Sequence, residues 1–133
     1  MTITGNGVTK TIIQASTCNP VTLPGGCTPA TYRVFEVKNT GNLTLDSLTV
    51  RYGNCTGACA IFVNLGGGIY NEGTVNLKSS TLSDNNSSFT GGGIRSSGTL
   101  TVTDSTLSGN KADTGGGIYT IGTMAVTVST NVG

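Results

Sequence analysis

The sequence predicts an all-β chain folded as a parallel β-helix, and three observations carry that expectation. Residues 66–131 hold one pattern written three times: GGGIYNEGTVNLKSSTLSDN from Gly66, GGGIRSSGTLTVTDSTLSGN from Gly91 and GGGIYTIGTMAVTVSTN from Gly115. The interval between copies is 25 and then 24 residues, with the difference absorbed between Asn86 and Thr90 and between Lys111 and Thr114. A constant period with elastic loops is the mark of a solenoid. Within each copy the apolar residues alternate with period two and are punctuated by Gly, Asn and Ser, which is the pattern of short strands and excludes helix. Finally, 35% of the 133 residues are apolar but only 5% are aromatic and none is Trp. Such a chain builds a core more readily from stacked Val, Ile and Leu than from a few large side chains.

The regular copies, 66–90, 91–114 and 115–133 with the last incomplete, each supply the same apolar positions. These are Ile69, Ile94 and Ile118 in the first strand. The second strand gives Val75 with Leu77, Leu100 with Val102 and Met124 with Val126, and the third gives Leu82 and Leu107. One coil cannot bury its apolar edge alone, so like is expected to stack on like. Residues 33–65 form an expected second coil, because the run from Gly41 aligns with that from Gly73 and brings Leu43, Leu45 and Val50 into the same columns. Residues 1–32 form a degenerate first coil around the strand-like MTITGNG and TKTIIQA. The whole is then a single domain of about five coils, at about 4.8 Å per coil. Two cysteine-containing insertions, residues 14–32 and 54–65, fall at the same corner of the circuit and are expected to lie side by side.

All four cysteines sit in those insertions: Cys18 and Cys27 in the first, Cys55 and Cys59 in the second. Four cysteines allow three pairings. Local staples, Cys18 to Cys27 and Cys55 to Cys59, are the favoured set and would suit an oxidising, extracellular compartment. A zinc site fits less well, since no pair has the C-x₂-C spacing and the chain has no His. Free thiols in a reducing compartment are the remaining alternative.

GGGIYN, GGGIRS and GGGIYT, with Leu82-Ser-Asp-Asn85 and Leu107-Ser-Gly-Asn110, resemble the repeats of the polymorphic outer-membrane protein family and related bacterial surface β-helix proteins. Leu82 and Leu107 stand where that family has Phe. The resemblance implies a right-handed solenoid, in agreement with the handedness of parallel crossovers. It also implies a secreted or surface-exposed, adhesin-like or structural role. It makes the Gly-Gly-Ile elements (Gly67, Gly68, Ile69; Gly92, Gly93, Ile94; Gly116, Gly117, Ile118) framework.

The same residues have a physical reading. The triplets supply positive φ or close backbone approach, where a Cβ would crowd the neighbouring coils. A phosphate-cradling loop would need a following helix and a Lys, and both are missing from the pattern. Asn85 and Asn110 follow a strand at equivalent positions, so their amides are expected to form a ladder.

The sequence offers little catalytic chemistry. Without His the commonest general base is gone. The acids are Glu36, Asp46, Glu72, Asp84, Asp104 and Asp113, and by repeat alignment no two share a column, as a glycosidase pair would most easily do. Asp46 beside Lys78 is expected to be a surface ion pair. No catalytic, cofactor or metal residue is assigned. The calcium-roll pattern lacks its aspartate. A net charge of +1 with no basic cluster argues against nucleic acid, and no run is long enough to span a membrane. Outward threonines such as Thr99, Thr101 and Thr103 raise ice binding, although Lys78 and Ala125 interrupt the array and β-propensity also explains threonine. Sequons at Asn42, Asn54, Asn85 and Asn86 are expected by chance in so Asn- and Ser-rich a chain.

The function expected is a non-catalytic extracellular structural or surface-display solenoid. After Met1 the sequence opens directly in TITGNG, so a signal removed upstream or a cut from something longer is expected, and the last copy stops without a polar cap. The terminal coils are therefore expected to be either cut edges or surfaces that receive another copy end to end. The alternative is a carbohydrate-binding or polysaccharide-active module with a glycan on the corner-loop flank.

Overall fold

In a computed structural model of the chain, residues 1–23, 25–57, 59 and 65–127 are described. The first two strands are β1 (Thr2–Thr4) and β2 (Ile12–Gln14). There follow β3 (Phe35–Val37), β4 (Asn42–Asp46), β5 (Thr49–Arg51) and β6 (Asn54–Cys55). The next copy gives β7 (Ile69–Asn71), β8 (Thr74–Lys78), β9 (Thr81–Ser83) and β10 (Asn86–Ser87). The last two give β11 (Ile94–Ser96), β12 (Thr99–Thr103) and β13 (Thr106–Ser108), then β14 (Ile118–Thr120) and β15 (Thr123–Thr127). No helix occurs among the described residues.

The strands assemble by position in the repeat rather than by order in the chain. One sheet runs β1-β4-β8-β12-β15, a second β2-β5-β9-β13, a third β3-β7-β11-β14, and a short fourth joins β6 to β10. Pairings are parallel throughout, residue for residue, as in Leu100 with Val75 and Met124. An all-β chain of parallel strands in stacked sheets is compatible with a β-solenoid. The 32-residue offset read from Gly41 and Gly73 is the observed register, with Leu43 on Val75, Leu45 on Leu77 and Val50 on Leu82. The two strand-like runs near the start also pair, β1 with β4 and β2 with β5.

The core is a set of columns. Leu45, Leu77 and Val102 stack in one, Leu43, Val75 and Leu100 in the next, and Val50, Leu82 and Leu107 line the second sheet, all nearly free of solvent contact. Phe35, Ile69, Ile94 and Ile118 close the third side. Burying each such side chain stabilises by about 1.5–3 kcal/mol. Met124 and Val126 keep their column register but are 41% and 43% exposed, because β15 is the edge of its sheet among the described residues. The expected Asp46–Lys78 ion pair does not form. The two are register neighbours, but the Asp46 carboxylate accepts the Ser47 hydroxyl at 2.7 Å and Lys78 extends into water, where such a pair would gain little.

Candidate functional site

The repeat residues singled out in the sequence are packed against backbone. Gly66, Gly91 and Gly115, which open the three triplets, have φ of 65°, 67° and 63°. The glycines that follow lie under the neighbouring chain: an added Cβ on Gly68 would come 2.6 Å from the Gly93 carbonyl oxygen, and one on Gly93 2.5 Å from that of Gly117. Gly67 and Gly92 are equally crowded, against Asn86 and Lys111. No ligand could enter the space these glycines leave, because backbone fills it.

Asn85 and Asn110 form the expected ladder. Asn85 Nδ2 donates to Asn110 Oδ1 at 3.0 Å and to the Val50 carbonyl at 3.3 Å, while Asn85 Oδ1 accepts the Gly53 N–H at 2.9 Å. Asn110 Nδ2 donates to the Leu82 carbonyl at 2.8 Å. Each amide thus ties one repeat to the one before it. Two further ladders escaped the sequence reading. Ser80 Oγ accepts the Leu48 N–H and Ser105 Oγ accepts the Ser80 N–H. Asn71 Nδ2 donates to Ser96 Oγ at 3.0 Å in the interior. Serine recurring in KSST and TDST was the available signal.

The corner with the insertions buries polar side chains, Arg33 and Asn54 among them. Disulfides join Cys18 to Cys27 and Cys55 to Cys59, with Cα–Cα distances of 5.9 and 5.3 Å. The insertions adjoin: Asn54 Nδ2 donates to the Ala30 carbonyl and the Asn54 N–H to Tyr32. Half of the flank expected for a glycan, residues 58 and 60–64 of 54–65, lies outside the described residues.

At its centre is Arg33, which nothing in the sequence flagged. It is 7% exposed, and its guanidinium donates to the carbonyls of Leu65, Gly66 and Cys59 and to Cys55 Sγ. Glu36 lies 3.5 Å away, and the Tyr70 ring lies under the guanidinium at 4.9 Å. Burial draws the Arg33 pKa below its ordinary value, against the pull of Glu36. Glu36 is held below the usual carboxylate range, first by the hydrogen bond from Lys38 and then by the charges of Lys38 and Arg33. Burial pushes the Tyr70 phenol up. This cluster fastens a loop by its carbonyls and leaves the acid committed to two cations.

No protein-family model, curated protein or solved structure matches this chain.

Two surfaces remain. At the edge of the first sheets a notch of about 290 Å³ is lined by Met1, Phe35, Val37, Gly41, Asn42 and Leu43, with the Met1 ammonium donating to the Asn42 carbonyl at 2.6 Å. The outer face of the five-stranded sheet carries three columns of mostly short polar side chains, interrupted by Ala125 and Lys78. The first holds Asn42, Thr74, Thr99 and Thr123; the second Thr2, Thr44, Asn76, Thr101 and Ala125. The third holds Thr4, Asp46, Lys78, Thr103 and Thr127. Among the described residues no three His, Cys, Asp or Glu side chains gather as metal ligands would, and no helix is long and apolar enough to cross a membrane. Of the sequon asparagines, Asn54 and Asn85 are buried and bonded, whereas Asn42 is exposed.

Proposed function

We propose that the chain folds as a right-handed parallel β-helix of about five coils that serves as a non-catalytic extracellular structural or surface-display rod. The observation that carries this reading is the unbroken register of the five-stranded sheet, from Thr2–Thr4 to Thr123–Thr127. Every rung repeats the one before it, so the body is stiff along the stack while the corner loops vary. Right-handedness follows the rule for parallel crossovers. Two disulfides in the corner loops support an oxidising compartment. End-to-end association of copies, each a heterologous contact that does not close, would extend the rod into a filament.

The test has two arms. Sedimentation and negative-stain microscopy across a concentration series, without reductant, should give rods that lengthen with concentration. A monomer at high concentration would overturn the assembly step. A screen for cleavage of neutral and acidic polysaccharides should give no products, and turnover that survives repurification would overturn the non-catalytic reading.

A further inference from the structure

We propose that the outer face of the β1-β4-β8-β12-β15 sheet is an ice-binding surface. The sequence aligned the run from Gly41, now β4, with the rows of β8, β12 and β15; the structure bears out that register and adds β1 beneath it, so the array has five rows. No bulge interrupts any of the four pairings. Side chains therefore recur at about 4.8 Å across the strands and at about 6.6–6.8 Å along them. The spacing across the strands is close to the shorter oxygen repeat on the prism faces of hexagonal ice, and the spacing along them falls somewhat short of the longer one.

The chemistry of the array suits ordered water. Each threonine offers one hydroxyl and one methyl, and β-branching restricts χ1, so the hydroxyls are held in repeating positions. The Thr44 hydroxyl accepts from Asn76 Nδ2 at 3.4 Å. The side chains of Thr74, Thr99, Thr101 and Thr123 make no hydrogen bond to the described protein, which leaves their hydroxyls to the solvent lattice. Among the column side chains charge is confined to the third column, at Asp46 and Lys78; the first two hold uncharged side chains from Asn42 to Thr123, with the Met1 ammonium at the Asn42 carbonyl on one corner.

The whole chain is tested by ice recrystallisation in a frozen sucrose film and by the habit of a single ice crystal grown in its presence. Grains should stay small and the crystal should become faceted. Thr101→Lys, at the centre of the block, should abolish both effects, with circular dichroism unchanged. Thr81→Lys, on β9 of a different sheet, should retain both. Round crystals and grains that coarsen as in buffer would overturn the proposal, as would full activity in Thr101→Lys or its loss in a folded Thr81→Lys. Adsorption to crystalline chitin or cellulose with no effect on ice would overturn it in favour of a polysaccharide lattice.

Discussion

Replacing Asn85 by alanine tests whether the amide ladder, and not the apolar columns alone, locks one repeat onto the next. Asn85 has no solvent contact, and its side chain makes three hydrogen bonds, to Gly53, Val50 and Asn110. The truncation leaves the Gly53 N–H buried without its acceptor, a penalty of about 1–3 kcal/mol. Asn110 Oδ1 is partly compensated, because it still accepts the backbone N–H of Asn85 at 3.1 Å. With a further fraction of a kcal/mol from the Val50 carbonyl, the loss should be about 2–4 kcal/mol. Asn85→Asp should do no better: the carboxylate can still accept from Gly53, but it has no proton to give Val50 or Asn110. The assay is urea unfolding followed by circular dichroism, with the m-value checked for constancy. A double-mutant cycle with Asn110→Ala should show a coupling of about 1 kcal/mol. A loss below about 0.5 kcal/mol for Asn85→Ala, the level of an ordinary surface substitution, would refute the ladder as a source of stability.

Three further outcomes follow from the same structure. Gly93→Ala should prevent folding or unfold the neighbouring repeats, since its Cβ would meet the Gly117 carbonyl at 2.5 Å, whereas Gly25→Ala, with nothing within 4 Å, should change stability by less than about 0.5 kcal/mol; thermal melts of the two variants compare them directly. Under native conditions with a mild reductant, Cys18–Cys27 should open before Cys55–Cys59, because Cys27 is half-buried while Cys55 and Cys59 are 0% and 1% exposed; alkylation and peptide mass mapping give the order, and each lost staple should cost about 2–3 kcal/mol. The depressed pKa of Glu36 contributes stability that is fully present above its unfolded value of about 4.3 and is lost as pH falls through the native value; urea midpoints between pH 7 and 3 should fall less steeply in Glu36→Gln.

Much of the fold was legible because the repeat writes the same constraint several times. Ile69, Ile94 and Ile118 are one column seen three times, and a period of 24 or 25 residues can place them together only by stacking. The second copy was legible for the same reason once the run from Gly41 was slid onto that from Gly73. Arg33 shows where this logic fails. It has no counterpart in the regular copies, so periodicity is silent about it, and an isolated arginine just after a polar insertion reads as a solvated charge. Its position became clear only when the insertion brought the Leu65, Gly66 and Cys59 carbonyls to face it.

The outer threonines fail in a different way. Alternation along one strand puts Thr99, Thr101 and Thr103 on one face, but β-propensity explains that equally well without any ligand. What the sequence lacked was the stacking partner of the degenerate first copy, where Thr2 and Thr4 sit in a stretch too short and irregular to align. Pairing of β1 with β4 supplies it. A single threonine strand carries no lattice, because a lattice needs a second dimension and that dimension is the stack. The same register that makes the columns Leu45-Leu77-Val102 inside must therefore make Thr44-Asn76-Thr101 outside. Any substitution that slips a rung by one residue would exchange the two faces and lose the core and the outer array together.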